Sequence, residues 1–248
     1  MKNKGLMIGF ILVFLIIIGC VNVDYKQKIK ESGGATLTFS ADYSGFVDII
    51  AEQSEKGVSE TKEEMQKKLE DNCQWIKDYV YEVNCNVNGV KITIETEIKD
   101  KENDEYYTFE KEAGVSSTVY TVEIKKIFDM AQYLSTEYGG TQGKDLDLSI
   151  KPTAEEKDQY ATYSEYMQVT YSIEMPGEIK SVESGKVEGK IEGNSVSFNI
   201  FELMAEPSQI VIVAEKKNMD FGWMIIGVLV LIVILFLWKI FAFKKKVE

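Results

Sequence analysis

The stretch KITIETEI, residues 91–98, alternates without a break: Ile92, Ile94, Thr96 and Ile98 fall on one side, and Lys91, Thr93, Glu95 and Glu97 on the other. A period of two with one apolar and one polar side marks a strand buried on a single face, which points to antiparallel sheet. MQVTYSIEM, residues 167–175, repeats the pattern with Met167, Val169, Tyr171, Ile173 and Met175 inward. Further period-two runs cover 37–41, 118–124, 146–150, 196–200 and 210–214. The expected fold is α+β, mainly antiparallel sheet, with one long amphipathic helix, one or two short helices and a C-terminal transmembrane helix.

The long helix is read from a 3.6-residue period. Thr61 followed by Glu64 has capping-box spacing, and Met65, Leu69, Cys73, Ile76 and Val80 form one apolar stripe behind it. A shorter helix is expected over 126–137, stopped by Gly139 and Gly140, and a helical turn over 46–53. Between the elements, KDKENDE (99–105) reads as a charged loop and Pro152 as the start of a polar connection. Pro176 and Gly177 fit the centre of a type II turn, and tight hairpins are expected near Gly189 and Gly193.

Both chain ends are apolar. Residues 5–18 carry no polar side chain, follow Lys2 and Lys4, and end at Gly19 and Cys20, the layout of a secretory signal. Ile17, Ile18, Gly19 and Cys20 resemble a lipobox, in which the chain is cut before a cysteine that carries diacylglycerol. The alternative is an uncleaved helix over 5–23, at roughly 1.5 Å per residue nearly long enough to cross a bilayer core. At the other end, residues 221–238 are uncharged, bordered by Trp223 and Trp238 and followed by Lys239, Lys244, Lys245 and Lys246. Aromatic borders with lysines beyond one of them mark a spanning helix with a cytoplasmic tail. The expected organisation is a signal peptide (1–19), a linker (20–34), an extracytoplasmic domain (35–215), a juxtamembrane and transmembrane segment (216–238) and a basic tail (239–248).

Composition narrows the chemistry. All 28 basic residues are lysine, with no arginine or histidine, which removes the commonest general base and the bidentate phosphate fork. Residues 20–220 hold 22 lysines against 39 acids, so nucleic acid is an unlikely match for this charge. Gly-x-Ser-x-Gly does not occur, and no enzyme activity is expected. Asp100, Glu102, Asp104 and Glu105 form the densest acidic group, with Asp145 and Asp147 a second. Neither has the spacing of a calcium loop, so solvated charge is the reading and no metal or cofactor is expected. Cys73 and Cys85 are either a disulfide or two buried thiols. A helix ending near Tyr79 followed directly by a strand would carry them apart unless part of 79–84 turns back. The 13 tyrosines suit an amphipathic binding surface.

The run YSIEMPGEIKSVESGKVEGKIEGNSVSFNIFEL, followed by IVIVAE and an apolar segment, resembles the closing part of LppM-like envelope lipoproteins over residues 171–246. Phe198 stands where tryptophan is frequent in that pattern, and Ser184 where asparagine is common. The resemblance implies an α+β domain displayed at the membrane that binds an envelope lipid or glycolipid, and it supplies no catalytic residues. The expected function is a membrane-anchored cell-surface lipoprotein whose non-catalytic domain binds such a lipid or a protein partner. Two other classes stand beside it: an accessory subunit of a membrane transport or envelope-assembly complex, and an enzyme working through lysine or carboxylate.

Overall fold

The computed structural model describes residues 21–53, 58–79, 83–99, 105–127, 146–166, 169–218, 227 and 229–235. Among the described residues thirteen strands are defined: β1 (Asn22–Ile29), β2 (Ala35–Asp42), β3 (Val83–Asn88), β4 (Lys91–Ile98), β5 (Tyr107–Ala113), β6 (Ser117–Ile124), β7 (Lys126–Ile127), β8 (Leu146–Asp147), β9 (Val169–Glu174), β10 (Glu178–Glu183), β11 (Lys190–Glu192), β12 (Ser195–Asn199) and β13 (Ile210–Lys217). Among the described residues the helices between them are α1 (Ser44–Gln53), α2 (Val58–Tyr79), α3 (Ala154–Tyr166) and α4 (Ile200–Ala205). The larger sheet has the order β11-β12-β9-β1-β2-β4-β3, and a second sheet has the order β10-β13-β6-β5. β7 and β8 form a separate short pair.

The α+β expectation is corrected here. The larger sheet is mixed, because β1 pairs antiparallel with β2 but parallel with β9, in register from Val23 with Val169 to Lys28 with Glu174. The protein is mixed α/β, mostly sheet. Residues 22–29, read as part of a linker, form its central strand. Val23, Gln27 and Ile29 are buried, and Tyr25 is half-buried between them. The polar Gln27 at an inward position hides the period.

The helices also depart from expectation. α2 starts at Val58, so Thr61 lies inside it and is buried instead of capping it. Its buried residues are Thr61, Leu69, Cys73 and Ile76, and it packs over β3 and β4 at one edge, not along a whole sheet face. The polar connection after Pro152 is helix α3. Its start is a capping box: the Thr153 N–H and hydroxyl donate to Glu156 Oε2, both at 2.8 Å, and the Glu156 N–H donates back to Thr153 Oγ1 at 3.3 Å. Ile200 does not extend β12 but begins α4, capped by the Asn199 side chain, which accepts from the Phe201 N–H at 2.9 Å. Of the helix expected over 126–137, Lys126 and Ile127 are strand, and the rest lies outside the described residues.

No helix among the described residues is long and apolar enough to cross a membrane, which corrects the transmembrane element of the expected fold. Within 221–238 the described residues are 227 and 229–235, all helical. Leu229, Val230, Leu231, Ile232, Val233, Ile234 and Leu235 are consecutive, and each exposes at least 52% of its surface.

The inward faces of both main sheets share one core, with Ile94, Tyr107, Tyr120, Val122, Ile124, Tyr171, Ile173, Ile210 and Ile212 at its centre. The outward face of the larger sheet is polar in every row. Across one row the register sets Asn84, Glu95, Thr38, Lys26, Ser172, Ser197 and Lys190 side by side. Lys26 and Lys28 both reach Glu174, at 2.5 and 2.9 Å, and hold its carboxyl below the usual carboxylate range.

Gly177 has a different role from the one expected. It does not adopt positive φ. A Cβ there would sit 2.5 Å from the Glu215 carbonyl carbon, so glycine is required for β10 and β13 to approach. Gly193, at φ 64°, does make the turn between β11 and β12.

Candidate functional site

Gln27 sits at an inward position in the middle of β1, only 3% exposed. Its neighbour on parallel β9 is Ile173, and Tyr171, two residues earlier on the same face, reaches its side chain. The Tyr171 hydroxyl donates to Gln27 Oε1 at 2.6 Å. Full burial pushes the Tyr171 phenol far above its ordinary range, so the hydroxyl keeps its proton and remains the donor. Gln27 therefore has its carbonyl oxygen occupied, and its Nε2 has no hydrogen-bond partner among the described residues. An unpaired buried amide donor costs on the order of 1–3 kcal/mol, which makes it unusual in a folded core.

Beside it lies a small cavity lined by Tyr25, Lys26, Gln27, Leu37, Thr38, Phe39, Ile127 and Tyr171. Tyr25 and Phe39 are cross-strand partners whose rings meet edge to face, with centroids 5.1 Å apart. Both are only half-buried, so the aromatic wall extends to the surface. The space it offers is about 20 Å³, enough for one oxygen-sized group and too small for an acyl chain. The site thus sets the Gln27 amide beside walls that are largely apolar and aromatic. Sequence reading missed it because its essential residue is a glutamine inside a stretch assigned to a linker.

The residues singled out from sequence are scattered. Cys73 and Cys85 are joined by a disulfide with Cα atoms 5.5 Å apart, because β3 returns alongside the end of α2 that it follows. The bond fastens the helix to the edge strand of the larger sheet. Asp100, Glu102 and Asp104 lie outside the described residues, and Glu105 pairs with Lys126 at 2.9 Å. Asp145 lies outside as well, and Asp147 accepts from the Ser149 N–H at 2.9 Å and the Ser149 hydroxyl at 2.6 Å in a local turn. Among the described residues no group of three or more acids or cysteines could hold a metal ion. Cys20, Trp223, Trp238, Lys244, Lys245 and Lys246 all lie outside the described residues. What is described is the immediate neighbour of Cys20: Val21 is 5% exposed, and β1 begins at Asn22.

No family model matches the chain, and no curated protein matches it either. Among solved structures, the folded domain of LppM from Mycobacterium tuberculosis, determined by NMR, aligns with 81% of this chain and 92% of its own length at 8% sequence identity, with a TM-score of 0.27. The similarity is weak and structural only.

Proposed function

We propose that the chain is a non-catalytic binding domain held at the outer side of the cell membrane, and that its ligand is an envelope lipid or glycolipid offering one oxygen to Gln27. The observation that carries this reading is the buried, unpartnered Nε2 of Gln27 beside an aromatic-walled cavity. A carbonyl or hydroxyl oxygen would satisfy that donor, and the apolar remainder of the ligand would lie against Tyr25 and Phe39 outside the cavity. Ligand sites commonly pair apolar walls with a few fixed polar groups in this way.

Attachment to the membrane is supported from both ends. A lipid on Cys20 would sit two residues from the central strand, leaving no linker between anchor and domain. The apolar run 229–235 is exposed on all sides of its helix, an apolar surface that would associate with lipid although the described helix is too short to cross a membrane. The same all-round exposure also fits packing against helices of a partner, which keeps the accessory-subunit reading as a second proposal. Co-purification of a complex in mild detergent would support that alternative.

The test is thermal unfolding of the purified full chain with and without fractionated envelope lipid, alongside Gln27→Met. The expected result is a rise in Tm for the unmodified protein that the variant does not show. Equal rises in both, or none in either, would overturn the assignment of Gln27.

A further inference from the structure

Asn218 directly follows β13, and only Met219 and Asp220 separate it from the apolar run that starts at Phe221. It is bound on every side to the hairpin tip between β5 and β6. Its N–H donates to the Ser116 carbonyl at 2.9 Å, its Nδ2 donates to the carbonyls of Gly114 at 2.8 Å and Val115 at 3.5 Å, and its Oδ1 accepts from the Thr118 hydroxyl at 3.0 Å. At the apex of that tip Val115 is 83% exposed, more than any other large apolar side chain described. We propose that the tip of this hairpin, residues 114–116, is the foot by which the domain rests in the membrane interface. The inference rests on the membrane-held reading above but does not depend on the Gln27 ligand.

The geometry follows from chain length. Three residues span at most about 11 Å, so the tip lies within about that distance of the start of the apolar run. The polar layer on each side of a bilayer core is on the order of 6 Å deep, so an apolar apex at this position is within reach of the headgroups. Val115 would bury there the surface it now exposes to water. A second consequence concerns orientation. Lys216 contacts Glu31, just past the far end of β1, so the chain leaves the domain at the opposite end of β1 from Cys20. β1 is about 23 Å long. With both ends attached and at most about 18 Å of chain between Lys216 and Phe221, that strand is held tilted toward the membrane plane instead of standing upright on it.

The experiment uses the full chain carrying Val115→Cys, labelled under non-reducing conditions with an environment-sensitive dye and reconstituted in phosphatidylcholine vesicles containing phosphatidylglycerol. The unsubstituted chain serves as the labelling blank. The expected result is blue-shifted emission that nitroxide-bearing lipid quenches, with both effects reduced when Asn218→Ala is added and circular dichroism shows the fold intact. Water-like, unquenched emission from protein that floats with the vesicles would overturn the foot while leaving the membrane reading in place. Protein that does not float would overturn both.

Discussion

Removing the Cys73–Cys85 bond by the double substitution Cys73→Ala, Cys85→Ala should destabilise the domain by an amount set mostly by the unfolded chain. The bond closes a loop with a sequence separation of 12. Loop-closure entropy for a ring of this size corresponds to about 3 kcal/mol at 25 °C. Both sulfurs are buried, with Cys73 4% and Cys85 1% exposed, and alanine leaves little empty space at either position. With a urea m-value of roughly 2 kcal/mol/M for a domain of this size, the midpoint should fall by about 1.5 M. The loss has a location as well as a size. Among its described residues α2 buries Thr61, Leu69, Cys73 and Ile76, and β3 is an edge strand, so hydrogen exchange in 58–79 and 83–88 should accelerate before the rest of the domain opens. Urea unfolding followed by circular dichroism, with exchange mass spectrometry alongside, reads both quantities. An unchanged midpoint, or exchange that rises uniformly across the molecule, would refute the staple.

Three further outcomes follow. Gln27→Met leaves the Tyr171 hydroxyl buried without its acceptor and should cost on the order of 1–3 kcal/mol, most of which returns when Tyr171→Phe is added; strictly additive losses in urea unfolding would contradict the pairing. Gly177→Ala places a methyl against the Glu215 backbone and should destabilise by about 1–3 kcal/mol, visible as a lower Tm and not as a change in ligand response. Glu174 has its folded pKa depressed by Lys26 and Lys28, so its contribution to stability is present above the unfolded carboxylate pKa and is lost as pH falls through the folded one. The unmodified protein should therefore lose more stability than Glu174→Gln on acidification below about pH 4.5, and parallel pH profiles would show that this pairing does not matter.

The strands with strict alternation were legible from their own residues. KITIETEI is β4, and the inward Val169, Tyr171 and Ile173 of β9 are buried as their period implies. The sheet's architecture was not, because a parallel pairing between β1 and β9 joins segments more than a hundred residues apart, and no local pattern records it. β1 escaped notice for a physical reason that bears on function: its inward row contains Gln27, and a polar residue kept inside a core breaks the signal by which cores are found. α3 was hidden for the opposite reason. Thr153 and Glu156 announce its start, but it has no apolar stripe to follow. Gly177 was visible as a required glycine while its reason, the backbone of Glu215, lay far along the chain.

Intact-mass spectrometry of the protein extracted from membranes tests the account most directly, since the position of the domain and the identity of its ligand both depend on how the chain is held. The expected mass is that of a chain beginning at Cys20, heavier by a diacylglycerol group and lighter by the two hydrogens lost in the Cys73–Cys85 bond. A mass that retains residues 1–19 without added lipid would contradict the lipoprotein at the centre of the proposal.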